Sequence, residues 1–433
     1  MQEEPSKNEY NRLGDRIRSD SENIAQDDLQ MLQAFRMTYK DALSRVFKIL
    51  EKMAIKCDSN CVCTCRVKRI ESIISKLNRL PKMKLQRTED IAGCRCILSK
   101  DEYVYDLLKR LEDGQSVHKY KVHYPIHDYI KNPKSTGYRS VHINVQLEGD
   151  WHWIEIQLRS LPMHNWATMV ETTDVLYQTH LKEIGEASDA DLFEFHKLLS
   201  FRKSDLSIEQ KIRLISIAKE KQYLEKISGI YENNYVRVRS RWHDLSKANK
   251  PFVLISIGTS GVPDFELFFS FEEAETAYFD KFRNNKESLN IVLTHIRNLD
   301  FEKVSIAYSN YFMTYNAILV KIHNIFNIAL IYFYQHSPKQ FKEFYPYYLQ
   351  LVYGWCKIAS EELGVIQVEL SKKTKRKNTA SAGWVKSFQK GLIEILRIFA
   401  NLDSQLTYLF FNPCLYFFKK RHYKQFEEKI HNL

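Results

Sequence analysis

Three stretches of the chain, VHKYKVHYPIHDYI (117–130), SVHINVQLE (140–148) and WHWIEIQLRS (151–160), alternate apolar and polar residues with a period of two. Successive side chains on a strand point to opposite faces, so each stretch reads as a strand with one buried face. In the third, Ile154, Ile156 and Leu158 take one side, and Glu155, Gln157 and Arg159 take the other. DIAGCRCILS (90–99) adds a further strand. Around these the apolar spacing turns helical: Leu29, Leu32, Phe35, Tyr39, Leu43, Val46 and Leu50 over 26–56, IESIISKLNRL (70–80) before Pro81, EYVYDLLKRLED (102–113), and the run from MHNWATMVETTDVLYQTHL onward. Strands interleaved with helices specify an α/β (α+β) chain with one central mixed sheet.

A second unit begins near Pro251. PFVLISIG and FELFFSF form paired strands around the turn TSGVPD, FEEAETAYFDKFRNN a helix, SLNIVLTHI a strand and FEKVSIAYSNYF another helix. The chain is expected to divide into four regions: a helical segment 1–49, an α/β domain 50–200, a helical connector with a small α/β accessory module 201–310, and a helical, aromatic-rich region 311–433 without assigned role. The excess of 64 Lys+Arg over 53 Asp+Glu favours phosphate-bearing partners, although a basic solvated face gives the same count. The start, MQEEPSKNEYNRLGDRIRSD, has no apolar core, so it is not a signal peptide. NAILVKIHNIFNIALIYFY (316–334) carries Lys321 and His323, and Pro413 splits LTYLFFNPCLYFF (406–418); both read as buried or interfacial helices rather than membrane spans. Eight unevenly spaced cysteines imply a reducing, cytoplasmic setting.

Three motifs carry chemistry. In DYIKNPKSTGYRSVH (128–142), Lys131 and Lys134 lie near Tyr138 and His142, with Gly137 free to take a positive φ. Tyr138 offers a flat face for a base, and the lysines and His142 offer donors to phosphate. Glu155, Gln157 and Arg159 in a row could hold a metal, read a base edge and clamp a phosphate. Asp90, at the start of the strand containing Arg95, could complete a Mg²⁺ site with Glu155, because Mg²⁺ takes one or two carboxylates and fills its octahedron with water and phosphate oxygens. Taken singly, each also fits an ordinary turn, a solvent-facing Glu–Arg pair or a surface carboxylate.

Taken together, RVKRIESIISKL, EDIAGCRCI, DYIKNPKSTGYRSVH and IEIQLRSLPMHNWATMVE resemble, in order and spacing, the synthetase domain of RelA/SpoT-type alarmone synthetases, within the single-synthetase branch that includes toxin-type relatives. The resemblance covers roughly 50–200, with weaker agreement from about 10 to about 312. It implies a nucleotidyltransferase-like mixed sheet flanked by helices, and transfer of the β,γ-pyrophosphate of ATP to the 3′-hydroxyl of GDP or GTP to make (p)ppGpp. Carried over by position, Arg66, Lys68, Ser72, Lys76 and Arg95 would hold ATP. Tyr138, Lys134, His142, Gln157 and Lys131 would hold the acceptor. Asp90 and Glu155 would bind Mg²⁺, and Glu155 would help deprotonate the hydroxyl; Arg159 and His164 also match, without an assigned role. Long relatives carry a His-Asp hydrolase domain. The His-Asp dipeptides here are His127-Asp128, inside the synthetase motif, and His243-Asp244, isolated in a basic stretch, so no hydrolase activity is expected. Thr172, Thr173 and Tyr177-Gln178 replace a basic pattern common in relatives, which bears on acceptor choice.

The basic segments SKKTKRKNTASAG (371–383) and YFFKKRHYK (416–424) motivate an alternative in which the acceptor is the 3′-CCA end of tRNA. A catalytically inert nucleotide sensor is a third possibility, and oligomerisation is left open. The cluster CDSNCVCTC (57–65) alternates so that Cys61, Cys63 and Cys65 oppose Arg66 and Lys68. With Arg66 and Lys68 on the ATP side, the cysteines should face the packed side of the sheet, as core rather than as a zinc site.

Overall fold

A computed structural model of the chain describes residues 6–227, 242, 250–257, 263–284, 290–296 and 317–348. The chain divides into two compact units: Met1–Lys134 with Tyr138–Ala167 and Ser240–Tyr311, and Ser135–Gly137 with Thr168–Arg239 and Phe312–Leu433.

The first unit is built on eight strands: β1 (Val62–Val67), β2 (Ala92–Leu98), β3 (Tyr120–Asp128), β4 (Val141–Leu147), β5 (Ile154–Ser160), β6 (Phe252–Ile257), β7 (Pro263–Phe268) and β8 (Asn290–His295). Their order is β3-β4-β5-β2-β1-β8-β6-β7, with β2 and β5 parallel and the other pairs antiparallel. The alternation expected for the central strands sorts them cleanly. Val67, Ala92, Ile143, Val145, Ile154, Ile156 and Leu158 enter one hydrophobic core, and Cys63, Cys65, Cys94 and Cys96 join them. Cys63 and Cys96 pair across β1 and β2, with their sulfurs 3.5 Å apart. Among the described residues, no group of three or more His, Cys, Asp or Glu side chains is arranged to hold a metal ion.

Helices cover that face. In α1 (Lys7–Ser19), Ser6 and Glu9 form a capping box, and Tyr10, Leu13 and Ile17 bury one stripe. The helical spacing over 26–56 is realised as two helices, α2 (Gln26–Met37) and α3 (Lys40–Cys57). They separate at Thr38, whose hydroxyl bonds to the Phe35 carbonyl at 2.7 Å and to His152 at 2.9 Å, while Tyr39 turns into the core against Phe35 and Trp151. α4 (Ile70–Arg79) buries Ile73 and Leu77 and ends before Pro81; α5 (Asp101–Asp113) buries Val104, Leu107 and Leu111, and the single turn α6 (Gln115–His118) follows it.

The expected separate module near residue 251 is not separate. β8 pairs with β1 through Thr64↔Thr294 and Cys65↔Leu293, so β6, β7 and β8 extend the central sheet. The following helix (Phe271–Asn284) lies against α3, where Phe271 stacks on Phe47 at 5.4 Å and Glu272 meets Lys48 at 2.8 Å. The boundary drawn at 200 also moves, since residues from Thr168 belong to the second unit. The helix expected over 301–312 lies outside the described residues, as do 371–383, 406–418 and 416–424.

The second unit takes α7 (Leu161–Tyr177) from Thr168 onward, and α7 leads into α8 (Leu181–Ile184), α9 (Ala190–Ser200) and α10 (Ile208–Glu220). With the Phe271–Asn284 helix counted as α11, the helix Ala317–His336 is α12, and it packs on α10. Ile322, Ile325, Phe326, Ala329, Leu330 and Phe333 of α12 are fully buried. No helix among the described residues is long and apolar enough to cross a membrane.

Candidate active site

Residues paired across strands lie side by side, so the register writes two rows on the sheet face opposite the core. The first is Arg66, Gly93, Glu155, Asn144 and His123; the second is Thr64, Arg95, Gln157, His142 and His127. A side chain at Gly93 would bring its Cβ within 2.9 Å of the Glu155 carbonyl oxygen, so the first row stays open between Arg66 and Glu155.

Beside the first row, the chain leaves β1 at Lys68 and enters β2 after Asp90. The Lys68 amide donates to the Ile91 carbonyl at 2.7 Å, which ties the two crossings together. Lys68 and Lys76, the latter on α4, bond to the two oxygens of Asp90 at 2.8 and 2.7 Å. Burial disfavours the Asp90 charge, but the two ammonium groups outweigh it and lower its pKa. Burial likewise lowers the pKa of Lys68, with Asp90 opposing. Two anchors unmarked in the sequence hold this corner: the buried Arg36 of α2 donates to the Lys68 carbonyl at 2.8 Å, and the Val67 amide donates to the Tyr278 hydroxyl of α11 at 2.6 Å.

Glu155 occupies the second half of the site. His142 Nδ1 lies 2.8 Å from one carboxylate oxygen and Gln157 Nε2 2.7 Å from the other. Burial raises the Glu155 pKa, yet His142, Gln157 and the charge of Lys68 together drive it far below the ordinary carboxylate range. Burial disfavours a charged His142, but Tyr138 and Glu155 outweigh that and raise its pKa. Lys68 thus links the two carboxylates electrostatically, while each is bonded to its own partners.

The remaining expected residues divide. Arg95 reaches Gln157 at 3.4 Å, and Arg66 is exposed at the end of its row. Ser72 is half-buried in the first turn of α4. Gly137 takes φ 92°, as the turn requires. Tyr138 is not the open platform that its place in the loop suggests: it is 7% exposed, its hydroxyl bonds to His142 and Arg159, and Lys134 and Arg159 lie over its ring at 5.4 and 5.0 Å. Lys131 stands apart, 3.5 Å from Asp128 and over the Tyr105 ring. Arg159, read as solvent-facing or phosphate-clamping, is 1% exposed, and His164 is fully buried. Asn144 and Glu89, hydrogen-bonded to one another beside Glu155, went unread because a lone Asn in a strand carries no signal.

Residues 65–182, which carry all of these groups except Thr64 and the two anchors, match the region found in RelA/SpoT proteins. A GTP pyrophosphokinase of Bacillus subtilis, YwaC, is 30% identical over 155 residues, spanning 32% of this chain and 71% of the relative. The chain belongs to the RelA/SpoT family. A second family member from Bacillus subtilis, the GTP pyrophosphokinase YjbM, is 33% identical over 131 residues, 28% of this chain and 59% of that protein. Among solved structures, small alarmone synthetase 1 from Bacillus subtilis bound to its product pppGpp shares 27% identity, covering 38% of this chain and 93% of that one at a TM-score of 0.30.

Proposed function

We propose that this RelA/SpoT chain transfers the β,γ-diphosphate of ATP to the 3′-hydroxyl of GDP or GTP, making (p)ppGpp. The observation that carries it is the gathering of Arg66, Lys68, Lys76, Asp90 and Glu155 along one sheet face, inside the matched segment. Phosphoryl-type transfer needs positioning and charge neutralisation more than covalent help, and these groups supply both.

The 3′-oxygen attacks the β-phosphorus of ATP, the bond from the α-phosphate oxygen breaks, and AMP leaves. Arg66, Lys68, Lys76 and Arg95 neutralise the donor phosphates, with Ser72 at the first turn of α4. Glu155, held as a carboxylate, is positioned to take the hydroxyl proton. Lys134, His142 and Gln157 would hold the acceptor, and Lys131 would have to turn from Asp128 and Tyr105 to join them. For Tyr138 to stack on the acceptor base, Lys134 must swing off its ring, while the Tyr138 hydroxyl keeps its bonds to His142 and Arg159. Two ionised carboxylates that both feel the Lys68 charge are a donor set fit for Mg²⁺, and Asp90 and Glu155 would hold it. Bound there, the ion would offset the phosphate charge; Lys68 and Lys76 would then turn from Asp90 to the phosphates.

The test is incubation with ATP labelled in its β and γ phosphates plus GDP, GTP or deacylated tRNA. Label on the guanosine nucleotide supports the reading. Label on tRNA alone refutes it in favour of the RNA acceptor, and label on none of them refutes transfer.

A further inference from the structure

The hydrogen bonds around Glu155 close into a ring. Arg159 Nη2 donates to the Tyr138 hydroxyl at 2.6 Å and to Gln157 Oε1 at 3.0 Å. Gln157 Nε2 donates to one oxygen of Glu155, and His142 Nδ1 donates to the other. His142 Nε2 lies 2.8 Å from the Tyr138 hydroxyl, which donates to it when the ring is neutral. With the His142 ring neutral and its proton on Nδ1, both paths run from Arg159 to Glu155. Arg159 is also the odd member of the site. It is 1% exposed, and among the described residues no ion pair joins it to a carboxylate and its Nε has no hydrogen-bond partner. A guanidinium in that position is costly unless its charge is used, and its countercharge here is Glu155, reached through Gln157 on one arm and through Tyr138 and His142 on the other.

We propose that Arg159 is a positioning residue for pyrophosphate transfer: by fixing the Gln157 carboxamide and the Tyr138 hydroxyl, it orients the Glu155 carboxylate toward the acceptor hydroxyl. Gln157 cannot flip while its Oε1 accepts from Arg159, so its NH₂ is committed to Glu155. His142 is committed in the same way from the Tyr138 side. Arg159 itself contacts neither donor nor acceptor; it acts through these two arms. The proposal rests on the transfer reading above.

The experiment compares wild type, Arg159→Gln, Gln157→Met and the double variant, with kcat and the KM for ATP and for the guanosine acceptor measured well below each thermal midpoint. Arg159→Gln should lower kcat about 100-fold, the cost of a misplaced reacting group, with the ATP KM within about twofold of wild type. The double variant should lose little more than the worse single one, because both substitutions cut the same arm. Guanidinium ion added to Arg159→Ala should restore part of kcat. A lowered thermal midpoint with kcat within about twofold of wild type makes Arg159 purely structural and overturns the proposal. A raised acceptor KM with unchanged kcat makes it a binding residue and also overturns it. If wild type itself transfers nothing, the transfer reading fails first and the proposal falls with it.

Discussion

Asp90 and Glu155 lie at the same corner of the sheet but are held differently, and that difference decides what each substitution does. Glu155 is bonded to His142 and Gln157, both of which keep other partners when it is neutralised. Glu155→Gln should therefore fold and lose about 100- to 10,000-fold in kcat, the usual worth of a positioned general base. Asp90 instead separates two ammonium groups, Lys68 and Lys76. Asp90→Asn should cost about 1.5–3 kcal/mol of stability as well as activity, since charge-assisted hydrogen bonds are lost and two cations are left facing one another. Urea unfolding monitored alongside turnover separates the two variants; equal stabilities would contradict this account of the corner. That Asp90, Lys68, Lys76, Glu155 and His142 lie near one another follows from motif order, and for Glu155 and His142 from strand alternation as well. The burial of Tyr138 and Arg159 could not be read from the chain, because it comes from the ring of contacts between β4, β5 and the loop before β4.

At the scale of elements, the central strands and their buried faces were legible, including the inward cysteines of β1 and β2. Strand pattern names a strand but not its neighbour. The pairing of Cys65 with Leu293 joins residues far apart in the chain, and so β6, β7 and β8 read as a separate module although they continue the sheet. The helix they bring with them contributes to the site. The Tyr278 hydroxyl receives the Val67 amide one residue before Lys68. Tyr278→Phe leaves that buried amide without its acceptor, which costs about 1–3 kcal/mol, and it should lower kcat by loosening Lys68. An unchanged unfolding midpoint with full activity would show that the extended sheet does not support the site.

For the whole molecule, acid should act through the second unit. His196 and His323 are fully buried, and desolvation lowers their pKa values to about 3 and about 4. The unfolded chain takes up protons near pH 6.5 that the folded chain refuses. Stability is therefore complete above that pH and falls as the pH drops toward 4, by about 1.4 kcal/mol per pH unit for each histidine. Thermal midpoints of the full chain at pH 7 and pH 5 should show the fall, and His196→Asn should reduce its slope by about half; equal midpoints would contradict it. The central claim concerns the first unit, and the most direct measurement is the nucleotide balance of the reaction with Mg²⁺, ATP and GDP. The account predicts one AMP formed for each guanosine nucleotide that gains two phosphates, with AMP formation dependent on the acceptor and lost in Glu155→Gln. Release of ADP and phosphate instead, or AMP formed equally well without GDP, would contradict it.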